Sequence, residues 1–343
     1  NSKLDSADGK ELAAGLAVSP SLTSLTLNFN NMKGSGEQFG EALKRNSPLR
    51  ELSMRGCSLS AEDGKGLAAG LSVTTSLTSL RLDYNSIQGS GEAFGEALKM
   101  NSSLKELSMV SCFLDTEDGK GLATGIAVTS SLSSLNLDIN NIRGSGEAFG
   151  AALKTNSSLK ELSLGNCSLN AADGKGLAAG LAENTSLTVV NLLSNNFDTA
   201  AAAALLKVKQ EHAKLTTLCG FTEGGLTEEE DDKNDEDTEE QDDKNAKDQG
   251  RTIDLCGDNL GPADAMLIAP EISVMTWLTS LRLGSNFLKE EGIITIIDAL
   301  QSNKELELLS LDISSNDFNF GPIEEKLVAA TLAMMPSLTS LRL

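Results

Sequence analysis

Histidine is almost missing from this chain: His212 is the only one in 343 residues. A single imidazole with no catalytic company around it excludes a Ser-His-Asp or Cys-His arrangement and a His-based zinc site. Aromatic residues are as scarce, at 3% with one Trp and one Tyr, so a core has to be assembled from Leu, Ala and Ile. Positive charge is also short. The 28 Lys and Arg stand against 49 Asp and Glu, a formal net charge of −21. Phosphate binding needs a Lys/Arg-rich face, so duplex DNA and RNA are excluded as partners, and a basic protein is electrostatically favoured instead. No apolar run approaches the roughly 20 residues that cross a bilayer.

What the chain has in abundance is repetition. The stretch LKELSMVSCFLDTEDGKGLATGIAVTSS from Leu104 has a near copy upstream, from Leu49, and another at the same distance downstream, from Leu159. Between copies sits a sister unit such as LTSLRLDYNSIQGSGEAFGEALKMNSS from Leu77, with Asn85 where the first unit has Cys112. A fixed period of this length means one elongated array rather than separate globular domains. Asn1–Ser21 reads as the second half of a repeat, and the closing SLTSLRL ends on a strand. The expectation is a piece of a longer array, with the true termini and any targeting signal outside it.

Each repeat splits into two halves. Leu77-Leu80-Leu82 and its equivalents alternate apolar and polar residues, which makes a short strand with one buried face. Twelve such strands are expected, among them one at Leu215-x-x-Leu218. The Asn or Cys behind the strand turns the chain inward, and Asn30, Asn85, Asn140 and Asn195 carry an amide able to bond loop backbone groups. The second halves are helical: Phe94 with Leu98, and Leu122 with Ile126, are i,i+4 pairs. Asp198 is placed to cap a further helix over residues 200–214. The abundant Gly and Ala allow neighbouring helices to approach closely. Strands inside and helices outside, stacked in order, give a curved α/β horseshoe.

Cys57, Cys112 and Cys167 occupy one position in every second repeat. With strands about 4.8 Å apart they stand on the order of 10 Å from one another, beyond the roughly 7 Å reach of a disulfide. Free, buried thiols are expected, which suits a reducing compartment. Cys219 and Cys256 read as two free thiols or as a disulfide closing the segment between them.

That segment is the one break in the pattern. Between Glu228 and Asp248 there are 13 acidic residues and 3 Lys, a composition that cannot bury a core and reads as a disordered insertion. The expected organisation is regular repeats over residues 1–221 with the first incomplete, the acidic insertion over 222–250, and diverged repeats over 251–343 with the last incomplete, all in one continuous solenoid.

The pattern L-x-x-L-x-L-x-x-N/C-x-L in units of roughly 27–28 residues resembles leucine-rich repeats. The alternation of Asn-type and Cys-type units resembles the ribonuclease-inhibitor-like subtype. The resemblance covers everything except Thr222–Gly250. It implies a parallel sheet on the concave face and helices on the convex face. It says less about activity, because such solenoids serve as inhibitors, GTPase activators, immune sensors and scaffolds. The chain departs from ribonuclease inhibitor in its slightly shorter super-period and in lacking the set of Trp and Tyr anchors a tight inhibitor uses, so ribonuclease binding is not carried over. The acidic segment is similar to the acidic tail of Ran GTPase-activating proteins, which follows their repeats rather than interrupting them.

Residues alternating with the strand leucines line the expected concave face. The candidates for partner binding are Phe29, Arg55, Arg81, Asp83, Tyr84, Val110, Asp138, Ile139 and Arg282, beside an acidic column of Glu51, Glu106 and Glu161. This face reads either as a solvated polar surface or as a protein-binding surface centred on Phe29, Arg55, Arg81 and Tyr84, since Arg and Tyr are frequent binding anchors. The GSGEAFG segments look like phosphate loops but lack the Lys-Ser/Thr of a P-loop, and helix packing explains them. Asp231–Asp242 has carboxylates near calcium-loop spacing without the central Gly. No cofactor or metal is expected. The expected function is non-enzymatic: an interaction or assembly subunit in the cytoplasm, its protein partner basic or part of a larger complex. The alternatives are a small-GTPase regulator and the ligand-sensing array of an immune-type receptor.

Overall fold

The leucines spaced L-x-x-L-x-L close into strands of three residues each. In the computed structural model, which describes residues 4–45, 48–222, 225–226, 251–317 and 335–343, the chain divides into two units, Asn1–Thr216 and Thr217–Leu343. The first unit holds β1 (Ser24–Thr26), β2 (Glu51–Ser53), β3 (Ser79–Arg81), β4 (Glu106–Ser108), β5 (Ser134–Asn136), β6 (Glu161–Ser163) and β7 (Val189–Asn191) in one sheet. Each strand pairs in parallel with the next in chain order, and the register never slips: Leu25, Leu52, Leu80, Leu107, Leu135, Leu162 and Val190 stand opposite one another. A strand turns successive side chains to opposite faces. The central residue of each, leucine in β1–β6 and valine in β7, therefore faces the core, and the residues on either side of it face out.

Parallel neighbours need a crossover, and each crossover here is a helix. These are α2 (Gly36–Lys44), α3 (Ala61–Leu71), α4 (Gly91–Met100), α5 (Thr116–Ile126), α6 (Gly146–Thr155) and α7 (Ala171–Leu181), while α1 (Ser6–Leu16) precedes β1 and α8 (Thr199–Glu211) follows β7. Phe94, Leu98, Leu122 and Ile126, the spaced apolar pairs of the sequence, are all fully buried. Asp198 caps α8, its Oδ1 accepting the Ala201 N–H at 2.7 Å. The helix stops at Glu211, short of the expected residue 214, because His212 closes its end.

The helices associate in twos. A Cβ added to Gly40, Gly95 or Gly150 would lie 2.0–2.1 Å from the carbonyl oxygen of Gly66, Gly121 or Gly176. Backbone meets backbone between α2 and α3, α4 and α5, and α6 and α7, and only glycine fits such an approach.

Behind each strand the two repeat types use different side chains for one task. Asn85 Nδ2 donates to the carbonyls of Met54 and Leu82 while its Oδ1 accepts the Leu59 N–H at 2.9 Å. Cys112 offers a single weak bond, Sγ to Leu82 O at 3.1 Å. None of the five cysteines is in a disulfide, and all but Cys256 are buried. Burial pushes the Cys57 thiol up to about 11 and the Cys112 thiol to about 12.

The second unit has its own parallel sheet of four strands, β10 (Thr252–Asp254), β11 (Ser280–Arg282), β12 (Ser310–Asp312) and β13 (Ser340–Arg342), with helices α9 (Pro262–Ile272) and α10 (Lys289–Ser302). It begins with an unforeseen antiparallel hairpin of β8 (Phe221–Thr222) and β9 (Gly225–Leu226). The strand expected at Leu215-x-x-Leu218 does not form. Thr217 and Cys219 make single-residue bridges only, because the buried carboxylate of Glu271 takes the Leu218 N–H at 2.7 Å and the Thr217 hydroxyl at 2.6 Å. The acidic segment 227–250 and residues 318–334 lie outside the described residues. Among the described residues no helix is long and apolar enough to cross a membrane.

Candidate protein-binding face

The constant register writes the outward residues of the first sheet into rows. One runs Ser24, Glu51, Ser79, Glu106, Ser134, Glu161, Val189, and the next runs Thr26, Ser53, Arg81, Ser108, Asn136, Ser163, Asn191. Glu51, Glu106 and Glu161 are exposed and stand two strands apart, about 10 Å at ordinary strand spacing. Arg81 is half-buried in the second row.

Two residues beyond each strand the chain turns inward, and the side chains there are used up by the fold. Asn28 Oδ1 accepts the Ser53 hydroxyl at 2.7 Å and the Arg55 N–H at 3.0 Å. Asp83 accepts the Ser108 hydroxyl and the Val110 N–H, and Asp138 the Ser163 hydroxyl and the Gly165 N–H. This position stitches the repeats of Asn30, Asn85 and Asn140 to the Cys-type repeat after each. Asp83 also faces Arg55, with Nε to Oδ2 at 3.3 Å, and both side chains are buried. Val110 is buried as well. Of the nine candidates, Arg55, Asp83 and Val110 therefore lie beneath the surface, and Asp138 is half-buried under its own stitch.

One residue later, at the crest of the turn, the opposite holds. Phe29, Tyr84 and Ile139 are 55%, 43% and 48% exposed, and each has a φ of 58°. The turn imposes this left-handed backbone, because it lets the residue's N–H donate into the next repeat: Phe29 to Arg55 O at 2.7 Å, Tyr84 to Val110 O at 2.8 Å, Ile139 to Gly165 O at 2.9 Å. Bulky residues avoid that conformation, and a β-branched one such as Ile139 does so strongly. The Phe29 ring covers Gly56, whose added Cβ would lie 2.8 Å from Phe29 Cδ1. The buried Arg55 guanidinium stands 5.6 Å from the centre of the Tyr84 ring, a cation–π contact from below. Phe29, Tyr84 and Ile139 thus form a column on one edge of the face, and Arg55 and Asp83 support it. Arg282 belongs to the sheet of the second unit, where it pairs with Asp254 at 2.6 Å.

Phe113 was missed by sequence reasoning, although it is 66% exposed with a φ of 58°. It follows Cys112 and passes for core, but it aligns with Ser58 and Ser168 in the sister copies, and that polar alignment was the available signal.

The phosphate-loop resemblance of the GSG segments has a structural cause. Their backbone N–H groups do hold an anion, and the anion is a side chain of the next repeat. Asp63 accepts from Gly34 and Gly36, Asp118 from Gly89 and Gly91, and Asp173 from Gly144 and Gly146, at 2.7–3.1 Å. The same carboxylates close the capping boxes of α3, α5 and α7. With the nests filled, these loops have no room for a phosphate. Among the described residues no cluster of three His, Cys, Asp or Glu is placed to hold a metal.

No protein-family model matches the chain. It is 29% identical over 221 residues to "NACHT, LRR and PYD domains-containing protein 13" of Homo sapiens, 63% of this chain and 21% of that protein. It is 26% identical over 335 residues to the ribonuclease inhibitor of Sus scrofa, 92% of this chain and 69% of that protein. The chain spans about a fifth of the length of the NACHT relatives it matches. Among solved structures it is similar to an internalin of Listeria monocytogenes at 16% identity, over 97% of this chain and 75% of that one, with a TM-score of 0.47.

Proposed function

We propose that this chain, a leucine-rich-repeat protein of the ribonuclease-inhibitor-like subtype, is a non-enzymatic scaffold that holds a protein partner on the sheet face of its first unit. The observation that carries the proposal is the column of Phe29, Tyr84 and Ile139: three large side chains left in water on a backbone conformation that such residues disfavour. Strain kept at exposed positions points to a use for them. Tyr84 is the anchor, held by Arg55, and Arg81 and the Glu51, Glu106 and Glu161 row supply polar contacts beside it. The net charge of −21 favours a partner that carries positive charge. Five cysteines outside any disulfide suit a reducing compartment, which supports a cytoplasmic setting. The Sus scrofa relative is by name an inhibitor of ribonuclease; the sheet face here offers one Tyr and no Trp, so a different protein is the better candidate.

The test is photo-crosslinking in cells with p-benzoylphenylalanine in place of Tyr84, and in place of Lys65 on the helix side as control. A protein adduct formed from position 84 and absent from position 65 supports the proposal. The reverse pattern sinks it.

A second reading, the repeat array of a larger multidomain protein, is favoured by the relatives whose names pair LRR with NACHT and PYD domains. It is compatible with the first. The transcript surrounding this segment decides it.

A further inference from the structure

Behind α4, α6 and α7, one asparagine fastens the turn to the repeat before it. Asn156 Nδ2 donates to Ile126 O at 2.7 Å, and its Oδ1 accepts the N–H groups of Ser158 and Leu159 at 3.1 and 2.8 Å. Asn101 and Asn184 do the same with their own neighbours, Oδ1 taking Ser103 and Leu104 in one case and Ser186 and Leu187 in the other. An amide is suited to this because it always presents a donor at one end and an acceptor at the other.

At the last such position of the first unit the residue is His212. Its Nε2 meets the carbonyl oxygen of Asn184, and its Nδ1 faces the N–H groups of Lys214 at 3.2 Å and Leu215 at 2.9 Å. Two backbone donors fix Nδ1 as the acceptor, and the carbonyl fixes Nε2 as the donor. Only the neutral imidazole with its proton on Nε2 reproduces what asparagine does elsewhere.

We propose that His212 is a proton-sensitive clasp on the last turn of the first unit, closed while the imidazole is neutral and opened by the second proton. Protonation turns Nδ1 into a donor aimed at two other donors, so both bonds are lost. The Nε2–H bond to Asn184 is strengthened by the charge, and the end of α8 favours a cation, but neither restores the acceptor. The charged groups of the turn do not reverse the balance. Lys214 Nζ is fixed on Thr185 O at 2.9 Å in the same turn, which adds a second positive charge. Lys209 lies one helical turn back, and Glu211, the preceding residue, is exposed. Glu183, the carboxylate of the preceding repeat, is held 2.8 Å from Lys154. Opening releases the buried Leu215 and Val208. The stability contributed by the clasp is present while the imidazole is neutral and is lost when the ring takes its second proton, the sign required when the folded state needs the neutral form.

Hydrogen–deuterium exchange on the full chain tests this, with protection corrected for the intrinsic rate at each pH. Between pH 7.5 and 5.5 the segment 203–217 should lose about tenfold in protection while the segment around Asn156 holds. His212→Asn should hold at both pH values. Equal protection of the wild-type segment at the two pH values, or an equal loss in His212→Asn, overturns the proposal. If that variant fails to fold, nitrogen-15 NMR of the wild-type ring decides instead: the Nε2–H tautomer at pH 7.5 supports the clasp, and the Nδ1–H tautomer overturns it.

Discussion

Asp118 Oδ1 accepts the backbone N–H of Gly91 at 2.7 Å, across one repeat boundary. The same carboxylate takes the N–H groups of Gly89 and Asp115. It starts its own helix and closes the loop of the repeat before it.

Removing that group takes the acceptor from the buried Gly91 N–H and from the half-buried N–H groups of Gly89 and Asp115. Asp118→Ala should cost about 3 kcal/mol, since hydrogen bonds to charged groups contribute about 1.5–3 each. Urea unfolding measures this, and a loss below about 0.5 kcal/mol would show that the carboxylate is not what joins the repeats.

The equivalent Asp63 carries a pH dependence. Burial pushes its carboxyl up, but the Ser60 hydroxyl and the N–H groups of Ser60, Gly36 and Gly34 outweigh this and hold it below the usual value of 3.8. A depressed folded value means that the stabilisation is complete above the ordinary carboxylate range and fades as pH falls through the folded one. Between pH 5 and pH 2.5 the urea midpoint should therefore fall further in the wild type than in Asp63→Asn.

Two glycines should respond to alanine with opposite signs. Gly95→Ala places a methyl 2.1 Å from Gly121 O and should cost about 3 kcal/mol, as overpacking against a backbone that cannot yield. Gly15, in α1, has nothing within 4 Å of an added Cβ, so Gly15→Ala should gain about 0.5 kcal/mol through the unfolded state. Thermal melts of the two variants read the contrast directly.

Ile139→Asn should stabilise the free chain by about 1 kcal/mol, because Asn tolerates the left-handed backbone that Ile resists. The same change should weaken the partner that Ile139 helps to hold. A variant that loses stability together with binding would show that no strain is stored at this turn.

Alkylation at pH 8 should leave Cys57, Cys112 and Cys167 unmodified in the native chain. A thiol raised to about 11 is ionised to about one part in a thousand at that pH. The half-buried Cys256 should react first, and mass spectrometry of the labelled peptides gives the order.

The strands, their register and the Asn/Cys alternation of the first unit were legible because one apolar row and one Asn/Cys position recur through all seven of its strands. The partners of Asp63, Asp118 and Asp173 were not. The Asp-Gly pair is visible in each copy, but the N–H groups it serves lie a whole repeat upstream, beyond any local pattern. Arg55, Asp83 and Val110 read as surface because they continue the strand's alternation. They are buried because the chain has already turned inward by that point. Leu215–Leu218 has the strand spacing and still forms no strand, since Glu271, far later in the chain, takes its backbone donor.

The glycine seams make the smallest interchangeable module two repeats long. Deleting a single unit would bring two helices of the same kind together, each lacking the partner backbone its glycines were shaped for. Deleting positions 77–131 joins Ser76 to Leu132 and leaves every remaining seam matched. An array of this design can be shortened or extended by recombination only in steps of one repeat pair, so its length is free to vary over generations while its pairing rule is not.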